Sequence, residues 1–263
     1  MDKSVIWKKE NNIAVMTLNR PDAYNVINTE MGKDFRQALI ECWDDEDVRA
    51  IVLTGTGNAF SGGGDIKFFA GEIKAGRICP SFETMLPIFH TAVEFLREIP
   101  KPIIAALNGV VAGGGLGIAL ACDFRIASPD IKLITAFSGI GASPDSSSSF
   151  FLPRFVGMGR ATELFFRNRP VSAEEAKDLG MINAVVAKEA VMDEAMALAA
   201  ELAQGPTNAF GRTKQLLNQS MSSSLKEHLH SEARLITISA LSPDFSEGIH
   251  AFIEKRKPEF KGK

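Results

Sequence analysis

Residues 101–128 read KPIIAALNGVVAGGGLGIALACDFRIAS. The segment PIIAALNG is an apolar run held between a proline and a glycine, and it reads as a strand buried on both faces. VAGGGLGIALACD then reads as a glycine-rich turn entering a helix. FRIASPDIKLITAF, residues 124–137, supplies two more strands around a turn at Pro129–Asp130. Strand, glycine turn, helix, strand is the alternation of an α/β fold.

The same grammar extends outward. On the N-terminal side RAIVLTGTG is another buried strand ending in glycines, followed by the polar, glycine-rich loop GNAFSGGGD. VIWKKENNIAVMTLNRP reads as two short strands joined by a polar turn at Glu10–Asn12. Residues 29–44 place Met31, Phe35, Leu39 and Cys42 at helical spacing, with Thr29 as the expected cap, and residues 82–98 are apolar at the same spacing. On the C-terminal side EEAKDLGMINAVV reads as a helix, a stop at Gly180 and a strand. From Val191 onward only helices are expected, broken at Gly205–Pro206, at the serines 222–224 and at Ser242–Pro243. Their apolar residues, among them Leu225, Leu229, Leu235 and Ile238, need cover from their own core or from another subunit.

Composition narrows the function classes. The chain has 263 residues, 45% of them hydrophobic and 23% charged, which suits one large domain with a full core or a domain with a small appendage. A net charge of −3, with two tryptophans and one tyrosine, offers neither a general cationic surface nor a stacking platform for nucleic acid. The three cysteines, Cys42, Cys79 and Cys122, are far apart and show no metal-ligand spacing, so neither a disulfide framework nor a metal site is expected. The N-terminal stretch MDKSVIWKKENN lacks an apolar signal core, and no apolar run is long enough to span a bilayer. These features predict a cytoplasmic protein without a membrane partner.

Two glycine loops invite a nucleotide reading and fail it. GNAFSGG, Gly57–Gly63, lacks the lysine and hydroxyl residue that a phosphate-binding loop places after its second glycine. AGGGLG, with glycines from Gly113 to Gly117, is one residue too short for the dinucleotide fingerprint. Glycine also lets bare backbone approach a ligand, and two N–H groups from two loops can hold one oxygen that becomes negative. The alternative is that these glycines serve only tight strand-to-helix packing. Between apolar flanks lies IGASPDSSSSF, residues 140–150, with a single acid, Asp145. Either Asp145 caps a helix whose first turn is Ser146–Ser149, or it is a buried acid with a chemical task. The serine run itself lacks the surroundings of a nucleophile elbow.

Four segments in order carry a resemblance: AFSGGGDIKFF, KPIIAALNGVVAGGGLGIALACDFRIAS, GASPDSSSSFFLPRFVGMGRATEL and SAEEAKDLGMINAVV. Together they resemble the crotonase superfamily, the enoyl-CoA hydratase/isomerase family, over almost the whole chain. The resemblance implies an α/β crotonase fold, a spiral of ββα units over residues 1–200, with a C-terminal helical trimerisation segment over 201–263. It implies homotrimers or hexamers built as dimers of trimers. It implies a coenzyme A thioester as substrate and no tightly bound cofactor. The two oxyanion donors fall on the N–H groups of Gly64 and Gly114. Ser61, Gly62, Gly63, Asp65 and Ile66 would line the adenine and pantetheine path, with Phe68 beside it, and Lys67 with Arg256 or Lys257 would meet the CoA phosphates.

The chain departs from the family's hydratases. Their two glutamates fall on Gly117 and Phe137, and neither residue type can activate water or donate a proton. Asp145 instead falls where some family isomerases carry their single acid, which moves a proton from the α to the γ carbon of an unsaturated thioester. Isomerisation with Asp145 as base is therefore the expected reaction. Another branch, 4-chlorobenzoyl-CoA dehalogenase, resembles the chain over the same stretches. There the nucleophile falls on Asp145 and the hydrolytic base on His90, while the tryptophan that positions the nucleophile becomes Phe137. For His90 a role as an ordinary half-buried histidine stays open, and so does a catalytically silent acyl-CoA binder for the whole chain. Phe68, Phe69, Phe82 and Phe89 are the expected walls for a ring or a medium acyl chain.

Overall fold

The computed structural model describes residues 3–263; Met1 and Asp2, the start of the N-terminal stretch read above, lie outside the described residues. β1 (Val5–Glu10) and β2 (Ile13–Leu18) form an antiparallel hairpin. It turns through Asn11 and Asn12, both left-handed at φ 49° and 66°, a conformation asparagine tolerates better than most side chains. α1 (Thr29–Asp44) follows and leads into β3 (Ala50–Gly55), parallel to β2. The cap of α1 is Asn28, whose side chain accepts the Met31 N–H at 3.0 Å, rather than Thr29, which is already the first helical residue.

From β3 the chain settles into a repeating pass. β4 (Ala59–Ser61) leaves for a second sheet and is followed by α2 (Ile66–Lys74) and α3 (Ile78–Glu98). β5 (Ile103–Leu107) returns to the first sheet, β6 (Val110–Ala112) joins the second, and α4 (Gly114–Ala121) completes the pass. β7 (Phe124–Ala127) and β8 (Lys132–Ile134) repeat it, ending in α5 (Ser148–Val156) and α6 (Met158–Arg167). β9 (Val171–Ser172), α7 (Ala173–Asp178) and β10 (Ala184–Val185) close the sheets.

The six-stranded sheet runs β1-β2-β3-β5-β7-β10 and the four-stranded sheet β4-β6-β8-β9. Each pass therefore lies one strand beyond the last in both sheets, which makes the fold a spiral of ββα units. The strands read around Pro129–Asp130 do not pair with each other, because β7 and β8 belong to different sheets. The three-residue strands β4 and β6 lie inside segments whose glycines read as loop and turn.

Both faces of the large sheet are buried, as its unbroken apolar strands require. Ile51, Leu53, Ile103, Ala105 and Leu107 face a core shared with α1, α3 and α4. The alternate residues, Ala50, Val52, Ile104 and Ala106, face α8 (Val191–Ala203), which presents Val191, Ala195, Ala199 and Ala203 one turn apart. Residue 200 thus lies inside a helix that packs on the sheet.

α9 (Thr207–Gln219) then docks through polar ties. Lys214, 7% exposed, donates to Asp123 Oδ2 at 2.9 Å, and the Arg97 guanidinium reaches both Asp123 Oδ1 at 3.0 Å and Asn218 Oδ1 at 2.7 Å. α10 (Leu225–Ala240) and α11 (Pro243–Glu254) extend beyond, leaving Leu225, Leu241, Phe252 and Ile253 exposed. No helix among the described residues is long and apolar enough to cross a membrane.

Candidate active site

β4 and β6 are parallel neighbours, so the loops that leave them emerge side by side. Gly63 and Gly113 hold φ of 85° and 49°, and a β-carbon on Gly63 would meet the Ala112 carbonyl oxygen at 2.8 Å and Gly113 Cα at 3.3 Å. Such an approach of two backbones admits only glycine. Ile27 N–H donates to Gly63 O at 2.7 Å and Asp65 N–H donates to Ile27 O at 2.9 Å, which pins the chain on either side of Gly64. Gly114 opens α4, where the first N–H groups of a helix have no intrahelical partner. Among the described residues no acceptor takes the N–H of Gly64 or of Gly114.

Polar groups in the first loop hold that loop together. Ser61 Oγ donates to Asn25 O at 2.9 Å and accepts the Gly63 N–H at 3.2 Å. Asp65 caps α2 by accepting the Phe68 N–H at 3.1 Å, and it pairs with Arg20 at 3.0 Å. The side chains of Ser61 and Asp65 are therefore spent on the backbone around Gly64. Gly62 packs on Tyr24 and Val26, Ile66 and Lys67 are exposed, and Phe68 is half-buried at the start of α2. The Phe69 ring covers Gly64, 2.6 Å from where its β-carbon would stand, and meets Phe82 edge-on at 4.9 Å between centroids. Phe89 is not a pocket wall: it is 1% exposed and packs on Phe35 in the core. Arg256 is held by Glu247 at 2.6 Å and Glu254 at 2.6 Å, and it holds the Glu247 carboxyl down at about 2, while Lys257 is exposed.

Asp145 does not cap α5 with its side chain. The helix begins at Ser148, and Ser146 and Ser147 before it are both left-handed, at φ 52° and 65°. The backbone oxygen of Asp145 accepts the Ser148 N–H at 3.1 Å and the Ser148 hydroxyl at 2.8 Å, so capping is done by the main chain. The carboxylate is left to accept Ser146 Oγ–H at 2.7 Å. Burial raises the Asp145 carboxyl above its ordinary value, while the Ser146 hydroxyl and the neighbouring His90 pull it down.

His90, half-buried on α3, accepts the Ser146 N–H at Nε2, 3.4 Å away. Phe137 is 8% exposed and stands just before a short 3₁₀ turn, Ser138–Ile140. Gly117 lies directly against this segment: a β-carbon there would be 1.9 Å from the Ser146 carbonyl oxygen.

Two hollows flank the Asp145 segment. One, of about 350 Å³, is lined by Phe137, Pro144, Met158 and Phe165. The other, of about 920 Å³, opens between α3, α5 and α9, with His90 and Ser147 among its walls and Arg97, Arg154 and Leu217 further out. Phe150, half exposed, lies under the Arg154 guanidinium. Among the described residues no group of three or more His, Cys, Asp or Glu is placed to hold a metal ion. The arrangement offers two free N–H donors, one desolvated carboxylate and one imidazole, which is equipment for proton transfer beside a stabilised oxyanion. Sequence reasoning missed Arg20, whose pairing crosses 45 residues, and the contacts of Ser146, since a serine in a serine run carries no signal of its partners.

A family model described as Enoyl-CoA hydratase/isomerase matches residues 8–263. The 1,2-epoxyphenylacetyl-CoA isomerase of Escherichia coli K12 is 36% identical over 264 residues, covering 100% of both chains. The 4-chlorobenzoyl coenzyme A dehalogenase-2 of an Arthrobacter species is 32% identical, covering 97% of this chain and 92% of its own. The crystal structure of an enoyl-CoA hydratase from Polaromonas sp. JS666 superposes with a TM-score of 0.92 at 29% identity, covering 98% of this chain and 99% of that one.

Proposed function

The chain belongs to the enoyl-CoA hydratase/isomerase family, the crotonase superfamily, and on that premise we propose that it isomerises an unsaturated acyl-CoA through a thioester enolate, with Asp145 as the single base. The thioester carbonyl oxygen sits between the N–H groups of Gly64 and Gly114. Asp145 takes a proton from the α carbon, the electron pair moves onto the carbonyl oxygen, and the two N–H groups stabilise the charge that forms there. The protonated Asp145 then returns its proton at the γ carbon as the pair flows back, leaving the double bond conjugated with the thioester. One group serves as base and then as acid, so no second carboxylate is needed. A carboxyl raised by burial suits both steps, because it is a stronger base and is neutral without penalty between them.

The observation that carries this reading over hydration is the contact at Gly117. With the Ser146 carbonyl oxygen 1.9 Å from the position of a β-carbon, that site has no room for an acid without rebuilding the Asp145 segment. The site is built around Asp145 at the expense of the hydratase glutamate.

A second reading has its own support. His90 stands beside Asp145 through Ser146, and the dehalogenase relative is 32% identical. In that reading Asp145 attacks an aryl carbon and His90 activates the water that cleaves the ester. Against it, His90 Nε2 already accepts the Ser146 N–H, and a lone pair so used does not take a proton from water. The CoA is assigned to Gly62, Gly63, Ile66, Lys67 and Phe68, with Lys257 or Arg256 at its phosphates once Arg256 leaves Glu247. Residues 201–263 are assigned to contact with further copies in a trimer or hexamer, on the strength of the apolar side chains exposed on α10 and α11.

The test presents the protein with a 3-enoyl-CoA and with 4-chlorobenzoyl-CoA, beside Asp145→Ala. Appearance of the 2-enoyl-CoA, lost in the variant by about 10²–10⁴-fold, is the expected result. Chloride release instead would replace the isomerase reading with the dehalogenase one. Binding without Asp145-dependent turnover of a broad thioester panel would mark a silent acyl-CoA binder.

A further inference from the structure

We propose that Ser146 is a positioning residue that joins the Asp145 carboxylate, His90 and the oxyanion loop at Gly114 into one unit; the inference rests on the reading of Asp145 as the base. Ser146 is 3% exposed. Its hydroxyl donates to Asp145 Oδ1 at 2.7 Å, its N–H donates to His90 Nε2 at 3.4 Å, and its carbonyl oxygen packs on Gly117. The same hydroxyl oxygen lies 2.9 Å from where a β-carbon on Gly114 would stand. One residue thus touches the base, the histidine and both ends of the first turn of α4.

The backbone of Ser146 is shaped for these contacts. Its φ of 52°, followed by 65° at Ser147, is a left-handed pair that side-chain-bearing residues seldom adopt and glycine adopts freely. Glycine would relieve the backbone but would supply no hydroxyl. The serine keeps the strain and gains a donor aimed at one carboxylate oxygen, which fixes the carboxylate plane and leaves Oδ2 free of that bond for the substrate proton. Of the titratable groups, His90 on α3 acts on Asp145; the hollow beside Ser147 also carries Glu94 and Arg97 of α3, Asp123, Arg154 of α5 and Lys214 of α9, while α4 carries none.

The test compares Ser146→Ala and Ser146→Gly, the latter relieved of the left-handed strain, with wild type and with Asp145→Asn. Rates on a 3-enoyl-CoA are read across pH, and the carboxyl of Asp145 is titrated directly by carbon-13 NMR with labelled aspartate. Both Ser146 variants should show kcat about tenfold lower at unchanged KM, the loss expected for one hydrogen bond to a charged group. Both should move the acid limb of the rate profile and the Asp145 titration to higher pH, because a donor that favours the ionised form is gone. Folded variants whose limb and titration stay at the wild-type position would overturn the inference. If Asp145→Asn turns over the substrate at the wild-type rate, the reading of Asp145 as base fails, and the carboxyl titration still decides whether Ser146 acts on Asp145.

Discussion

At the scale of single residues the site is a balance around one carboxylate. Burial raises Asp145, and the Ser146 hydroxyl and His90 restrain it. On the proposed reading Asp145 must be ionised to act as the base, so kcat/KM should fall as pH drops through that raised value. The same shift bears on stability with the opposite sign. A carboxyl whose folded value lies above its unfolded one favours the folded state below the unfolded value, and that advantage is lost as pH rises through the folded value. Asp145→Asn should therefore melt higher than wild type at neutral pH, with the difference vanishing in acid, while abolishing turnover. Thermal unfolding across pH checks this, and equal melting at pH 7 would contradict it. Gly117→Ala should cost about 1–3 kcal/mol of stability through overpacking against the Ser146 carbonyl. Gly117→Glu should gain no hydration of a 2-enoyl-CoA.

At the scale of elements, function depends on loops that strands deliver in parallel. β4 and β6 place Gly64 and Gly114 together, and the Arg20–Asp65 pair with the cap of α2 fixes the first of them. Asp65→Ala should lower stability by about 1–3 kcal/mol, the loss of a cap and a half-buried pair. It should lower kcat as well, because Gly64 loses its anchor; a variant destabilised with kcat intact would separate the two roles. These elements also show what was legible in the sequence. The long strands, α1, α3 and every C-terminal helix were readable because apolar spacing or a terminating glycine or proline marks them. β4 and β6 were not, since three residues beside a glycine run carry too little pattern. The two glycine loops left a pair of N–H donors open beside tight packing, and only the family resemblance placed them on Gly64 and Gly114. Phe89 was misread because an aromatic on a helix facing the pocket and one facing the core share the same spacing. Of the two alternatives for Asp145, the helix cap with Ser146–Ser149 as first turn does not hold, and nothing in four serines announces the two left-handed residues that replace it.

At the scale of the molecule both faces of the large sheet are covered, yet α10 and α11 still show apolar surface. Leu241 and Phe252, 83% and 85% exposed, are the residues that assembly should bury. Leu241→Asp together with Phe252→Asp should leave a folded protomer by circular dichroism and reduce the sedimenting mass from a trimer or hexamer to a smaller species. Wild type sedimenting as a monomer would remove the assembly from the account. α9 is tied to the core through Lys214, Asp123 and Arg97, so the arm begins from a fixed base.

The measurement that tests the central claim most directly is deuterium incorporation during turnover of a 3-enoyl-CoA in D₂O, for wild type and Asp145→Ala, with label positions read by NMR and mass spectrometry. Proton abstraction and return by Asp145 predicts that wild type forms the 2-enoyl-CoA, with deuterium at the γ carbon in the fraction of turnovers in which the protonated carboxyl exchanges with solvent before delivering its proton, and that the variant forms neither product nor exchanged substrate. Equal product and equal label in Asp145→Ala would contradict the account.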